Sequence, residues 1–328
     1  YLLPGLVDLH VHAPQWPQLG KALDLPLNEW LKKHTFPLEA RYRDLDFARR
    51  SYESLVDALL ANGTTTAAYF GTVHVAATRL LADIVAKKGQ RADIGKVAMD
   101  DADQCPDFYR DQTTQSGLDG TRELIEYVRG KDSSLLHAAV TPRFIPACTA
   151  AMLEGLAGIA DEYGCHIQTH CSESDWEHRY VIDRLGASDA QSLDRFGLLT
   201  DRTILAHSIF VDNEDLATIK RRDSGIAHCP LSNLYLSHAV FPARRALDRG
   251  LKLGLGTDIA GGASPSIFDN CRMAVSASRA LEDGVDPALP SDKRGTPGSG
   301  INFREAFWMA TAGGARALGL NTGRFAQG

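Results

Sequence analysis

The chain has little of the chemistry that marks several large functional classes. Its six cysteines (Cys105, Cys148, Cys165, Cys171, Cys229 and Cys271) are scattered through 328 residues with no CxxC pair. That spacing excludes a zinc ribbon and a disulfide framework, and it fits reduced, mostly buried thiols in a cytoplasmic protein. No apolar run approaches the roughly 20 residues of a membrane span, so no membrane association is expected. Positive charge is in deficit, with 35 Lys and Arg against 41 Asp and Glu and a net charge of −6. A polyanion-binding surface takes clustered Lys and Arg, so any connection to nucleic acid is expected through a free base or nucleoside, not a polymer.

What the chain does have is apolar content, 44% hydrophobic against 23% charged, which places it in the globular class with a large core. Its most informative stretch is LVDLHVH, Leu6 to His12, just after Pro4-Gly5. Leu6 and Val7 open a strand in which Asp8, His10 and His12 recur at a spacing of two, and that spacing puts them on one face. Two buried histidines could simply be packed and satisfied. Two imidazoles in register on a strand face are also half of a four-ligand metal site, which sends the search to the rest of the chain.

From His12 to about Leu45 the chain is rich in Pro and Trp, and a connection of this length (13–45) is expected to be a lid or binding loop, with a short helix at Asn28 to His34. A helical stripe of Phe47, Leu55, Val56, Leu59 and Leu60 follows, stopped by Asn62-Gly63. Then strand and helix alternate. Strands are expected at Thr65–Gly71, Ile94–Asp100, Leu135–Arg143, His166–Glu173, Thr203–Ile209, Gly225–Cys229 and Leu251–Asp258. Helices are expected at Val75–Lys88, Thr121–Arg129 and Ala150–Tyr163. With LVDLHVH this makes eight apolar strands, and the pattern predicts an α/β fold, a TIM-type (β/α)8 barrel. An open doubly wound sheet is the alternative, but no Gly-rich phosphate turn follows the first strand. Residues 286–300 read as a surface loop and Asn302–Leu318 as a closing helix. Tyr1 stands in place of an initiating Met, and a native protein longer at both ends is expected.

A barrel of this kind builds its active site at the C-terminal ends of its strands. Those ends carry His10 and His12 on strand one, His170 and Glu173 on strand five, His207 on strand six and Asp258 on strand eight. Singly, Asp258 could cap a helix, His207 could bond a carbonyl and Glu173 could be a solvated acid. Together they set four imidazoles and two carboxylates on one rim. A catalytic zinc takes three protein ligands and a water, with room for a fifth partner. His10, His12, His170 and Asp258 fit that shell, which leaves Glu173 and His207 to move protons and Asp258 to help orient the water. Strand four ends in Thr141-Pro142-Arg143 with no Lys to help bridge a second ion, so one metal is expected. His and Asp ligands suit zinc, and Fe2+ in lesser degree.

These residues carry a resemblance. The chain is similar to the amidohydrolase superfamily, whose members share a metal-bearing barrel with HxH on strand one, His on strands five and six and Asp on strand eight. Within it, the segments PGLVDLHVHAPQ, DLPLNEWLKKHTFP, NGTTTAAYFGTVH, VTPRF, THCSE, IAHCPLSN and GLGTDIAGG resemble the guanine deaminase family. The likeness runs through almost the whole chain, and the DLPL-EWL-TFP segment and the PRF after strand four are its most specific parts. The resemblance implies a mononuclear zinc hydrolase that converts guanine to xanthine and ammonia, acting as a homodimer. It implies His10, His12, His170 and Asp258 as ligands, Glu173 as proton shuttle, His207 as its partner, and Gln15, Arg143 and Phe144 as the purine-binding set. Arg143 offers a rigid donor fork to a carbonyl oxygen, and Phe144 an aromatic face. The small β-sandwich of the family is largely absent from this chain. His74 and His228 receive no role. A sister aminohydrolase acting on another purine, a pterin or a triazine is the nearest alternative, and an inactive metal-binding scaffold is a further one. The zinc cytidine-type deaminases are not, because their H-x-E and P-C-x-x-C signature is missing.

Overall fold

In the computed structural model, which describes residues 2–326, LVDLHVH is a strand over its whole length, β1 (Leu6–His12), and all of it is buried. A strand is buried throughout when both its faces are covered, as in a parallel sheet flanked by helices. Val7 and Leu9 pack with Ala315, Ala317 and Leu318 near the C-terminal end, and the alternation of the strand sends Asp8, His10 and His12 to the opposite face.

The other strands are β2 (Thr64–Phe70), β3 (Arg91–Gly95), β4 (Val97–Ala98), β5 (Leu136–Pro142), β6 (His166–Cys171), β7 (Thr203–His207), β8 (Gly225–His228) and β9 (Lys252–Leu255). Among the described residues they pair in parallel in the order β1-β2-β3-β5-β6-β7-β8-β9, with β4 a short extension beside β5. The ring is joined where the Asp258 amide donates to the His10 carbonyl at 2.8 Å and the His12 amide to the Ile259 carbonyl at 2.9 Å. This is the parallel (β/α)8 barrel expected from the alternation. Tyr1, Gln327 and Gly328, the outer ends of the expected 1–328 domain, lie outside the described residues.

Several elements depart from the expected limits for physical reasons. The strand expected at Ile94–Asp100 starts earlier, at Arg91, and is interrupted at Lys96, whose buried ammonium pairs with Asp111. The helix expected from Thr121 begins at Thr114, where Thr113 and Ser116 form a capping box. Gly117 disguises that start, and it sits in a close-packed spot: a Cβ there would lie 2.4 Å from the Met152 Cε and 2.9 Å from the Asp111 carboxylate, so those side chains would have to shift. A 17-residue helix, Ile267–Asp283, also lies before the exposed 286–300 stretch. No helix among the described residues is long and apolar enough to cross a membrane.

The segment 13–45 is a chain of short helical turns, Ala13–Gln18 and then Leu27–Trp30 through Ala40–Arg43, so the short helix expected at Asn28–His34 is part of a longer helical run. Its Leu27, Trp30, Leu31 and Phe36 are buried together with Phe70, Phe144 and Leu236. Burying that many large apolar side chains, each worth about 1.5–3 kcal/mol, holds the segment down over the C-terminal ends of the strands.

Candidate active site

The strand ends bring together every rim residue singled out above. His10 Nε2 lies 3.2 Å and His12 Nε2 3.6 Å from Asp258 Oδ1, and the Nε2 atoms of His12 and His170 face each other at 2.9 Å. His207 Nε2 stands 3.7 Å from Glu173 Oε1 and 3.9 Å from Asp258 Oδ2. Asp258 thus turns one oxygen toward the HxH pair and the other toward His207. The backbone is bent to do this: His207 (φ 66°) and Asp258 (φ 49°) both sit in the left-handed region, a conformation costly for non-glycine residues and concentrated at functional sites.

Each imidazole is oriented from behind. His170 Nδ1 donates to the Arg143 carbonyl at 2.5 Å, which leaves its Nε2 lone pair pointing into the cluster. His207 Nδ1 donates to Asn233 Oδ1 at 2.9 Å, with the same consequence. Burial lowers the basicity of His10, His12 and His170 far below the usual imidazole range, their mutual repulsion adds to it, and burial lowers His207 as well. Burial, then the neighbouring Asp258 charge, push Glu173 well above the usual carboxylate range. Neutral imidazoles beside a carboxylate are the protonation states a cation needs.

Those residues fit a metal ion. His10, His12 and Asp258 offer ligand atoms within 4.8 Å of one another, as do His10, His170 and His207, and as do Glu173, His207 and Asp258. The His10 and His207 Nε2 atoms are buried without a hydrogen-bond partner, and such orphaned acceptors are costly unless something completes them. A nitrogen-rich set closed by one carboxylate has the make-up of a catalytic transition-metal site.

Beside this cluster is a small pocket lined by Gln15, Leu27, Trp30, Leu31, Arg143, Phe144 and Leu236 and floored by His12, His170, Glu173 and Asp258. The three residues expected to bind a base therefore do line one wall. Gln15 and Arg143, however, each give part of their hydrogen-bonding capacity to a residue that sequence reading missed. Glu39, fully buried, accepts from Arg143 through Nη1 at 2.7 Å and Nη2 at 3.1 Å, and from Gln15 Nε2 at 2.9 Å. Burial alone would weaken the proton affinity of Arg143, but the Glu39 charge and hydrogen bonds outweigh it and keep the guanidinium charged. Nothing in the TFPLE segment sets Glu39 apart from the other charged residues of 13–45, among them Glu29, Lys32, Lys33 and Arg41.

Other contributors had weaker signals. The Glu173 amide donates to Glu177 Oε2 at 2.7 Å, and the Ser237 hydroxyl donates to the Glu173 carbonyl, so the acid is held at both sides of its peptide unit. Asp8, on the same face as the histidines, accepts from Thr257 and is not among the residues lining the pocket. His228 packs on Phe241 and His74 beside Tyr109, and neither is among the residues lining the pocket.

Comparison with known proteins agrees with this geometry. The chain is 40% identical over 334 residues to a probable guanine deaminase of Schizosaccharomyces pombe, covering 100% of this chain and 61% of that protein. It is 39% identical over 323 residues to the guanine deaminase of Dictyostelium discoideum, covering 98% of this chain and 69% of that protein. The structure of the guanine deaminase of C. acetobutylicum with bound guanine superposes with a TM-score of 0.92 at 34% identity, covering 99% of this chain and 75% of that one. The chain thus spans about two thirds of the length of the curated relatives it matches, 61% of one and 69% of the other. With the amidohydrolase family model matching residues 1–328 from end to end, and with the barrel and its rim of histidines and carboxylates in place, the chain belongs to the amidohydrolase family.

Proposed function

We propose that this chain hydrolyses the exocyclic amine of guanine, giving xanthine and ammonia, with one zinc ion held by His10, His12, His170 and Asp258. The observation that carries the reading is the meeting of two surfaces: a wall bearing Gln15, Arg143 and Phe144 opens directly on Glu173 and Asp258. Relatives of both comparisons are guanine deaminases, and one was solved with guanine in its active site.

A bound zinc ion supplies Lewis acidity, lowering the pKa of water from 15.7 toward about 7. The side chains of the chain do the rest. The Phe144 ring and the aliphatic Leu27, Leu31 and Leu236 hold a planar base and exclude water, while the free N–H groups of Arg143 and Gln15 offer donors to its carbonyl and ring nitrogens. Glu173, kept protonated by its buried surroundings, is placed to give a proton to the ring nitrogen next to the amine-bearing carbon. His207 Nε2, unprotonated because its Nδ1 donates to Asn233, accepts from the attacking water together with Asp258. Glu173, its first proton spent, takes up the proton drawn from the water and passes it to the departing amine, and the hydroxyl proton left on the ring carbon restores Glu173 as the new carbonyl forms. The folded-down segment 13–45 acts as the lid over this reaction.

The six buried, unpaired thiols support a reducing, cytoplasmic setting, and the family likeness supports a homodimer. Ammonia release measured across guanine, adenine, a pterin and a triazine tests the substrate. Guanine should exceed the others by 100-fold or more in kcat/KM, on the order of what matched polar contacts confer. A triazine or pterin turned over faster than guanine would refute the assignment.

A further inference from the structure

Glu39 is an acid that the proposed chemistry does not call for. It is fully buried, it comes from the lid helix Phe36–Glu39, and its two oxygens receive three donors from the pocket wall. Gln15 is fixed at its other end as well, because its Oε1 accepts from the Ala260 amide at 3.0 Å. The Arg143 guanidinium carbon lies 4.9 Å from the Phe36 ring centroid, so that side chain is held on one face by an aromatic ring and along one edge by a carboxylate. Of the five N–H donors of a guanidinium, two point at Glu39 and the others stay available.

The arrangement has an electrostatic consequence besides the geometric one. An unpaired buried Arg143 would be a strong anion site. Paired at 2.7 Å with Glu39, it shows donors but almost no net charge. A neutral planar ligand meets matched hydrogen bonds there, whereas an anionic one meets the Glu39 carboxylate on the wall that bears Arg143, and among the described residues that line the pocket no unpaired Lys or Arg offsets its lost hydration.

We propose that Glu39 is a positioning and selectivity residue: it fixes the Arg143 fork and the Gln15 amide, and by neutralising Arg143 it makes the pocket favour a neutral purine over an anionic one. This rests on the purine reading given above, and it adds the charge state of the ligand as the selected property.

The test uses the metal-loaded protein with two ligands that are not turned over, hypoxanthine (neutral near pH 7) and urate (anionic there), alongside KM and kcat for guanine. In Glu39→Gln, KM should rise by about tenfold or more with a smaller change in kcat, and the urate-to-hypoxanthine affinity ratio should rise by about tenfold or more, because one partner of a buried ion pair has been removed. In Glu39→Asp the charge remains but its reach shortens, so KM should rise with the affinity ratio unchanged. A folded Glu39→Gln with wild-type KM and ratio overturns the proposal, and so does a Glu39→Asp that shifts the ratio as far as the Gln variant. Should Glu39→Gln not fold, Glu39→Asp decides: a raised KM at constant ratio supports the proposal, and a wild-type KM overturns it. A wild-type protein that binds hypoxanthine but releases no ammonia from guanine would sink the reaction assignment alone, since the binding ratio is read without turnover.

Discussion

The Asp8 carboxylate accepts hydrogen bonds from both the amide (2.9 Å) and the hydroxyl (2.5 Å) of Thr257, tying the first barrel strand to the residue before Asp258. Asp8 also accepts from the His10 amide at 3.2 Å, so one buried acid sets the spacing between two candidate metal ligands. Thr257→Val removes the hydroxyl donor from a buried acid, and it should cost about 1–3 kcal/mol of stability. Through the shifted ligands it should also weaken zinc binding by about 10–100-fold. Denaturant unfolding and a competitive chelator titration check the two parts.

Glu173 should separate chemistry from metal binding. Glu173→Gln keeps the shape of the pocket but cannot shuttle a proton, so kcat should fall by about 10²–10⁴-fold. Zinc content, measured by elemental analysis, should stay at the wild-type level, since the four proposed ligands are untouched. A variant with near-wild-type turnover would remove Glu173 from the mechanism.

Asn233 is the quieter partner. Its side-chain oxygen holds His207 Nδ1–H at 2.9 Å and thereby decides which ring nitrogen faces Glu173. Asn233→Ala frees the ring to adopt the other tautomer, and kcat should drop by about 10–100-fold, the usual scale for a lost orienting partner. KM for guanine should change much less, because Asn233 is not among the residues lining the pocket. Steady-state kinetics reads both values.

The strand ends make most of this site legible in the sequence. His10, His12, His170, Glu173, His207 and Asp258 were placed on one rim because a period-two strand and a parallel barrel leave their ends nowhere else to go. Gln15, Arg143 and Phe144 became visible only through family likeness, since Arg143 and Phe144 alone look like a surface ion pair and plain core. Glu39 was not legible. Its partners are 104 and 24 residues away, and nothing local distinguishes a buried Glu from a solvated first-turn acid. The same holds for Asn233, whose side chain matters only once His207 stands beside it. Element limits failed for a different reason: Gly117 and Lys96 break local propensity in order to satisfy packing and an ion pair.

Away from the site, His166 and Asp93 make stability depend on pH. Burial would lower the His166 pKa, but the Asp93 hydrogen bond at 3.0 Å and its charge outweigh burial and raise it. A histidine raised in the folded state binds protons more tightly there than in the unfolded chain. Its contribution is therefore complete below the unfolded value near 6.5 and is lost as pH rises through the higher folded value. Asp93→Asn should reduce stability on the acid side of that window and less above it, which paired melting curves across the interval would show.

A metal-dependent barrel of this make-up should release the amine of guanine by hydrolysis. Following xanthine by absorbance and ammonia by a coupled assay in one reaction tests it most directly. The zinc-loaded protein should give equal amounts of both products, lose both after chelation and regain them on adding zinc. Guanine left unchanged by the zinc-loaded protein, or turnover that survives full removal of metal, would contradict it.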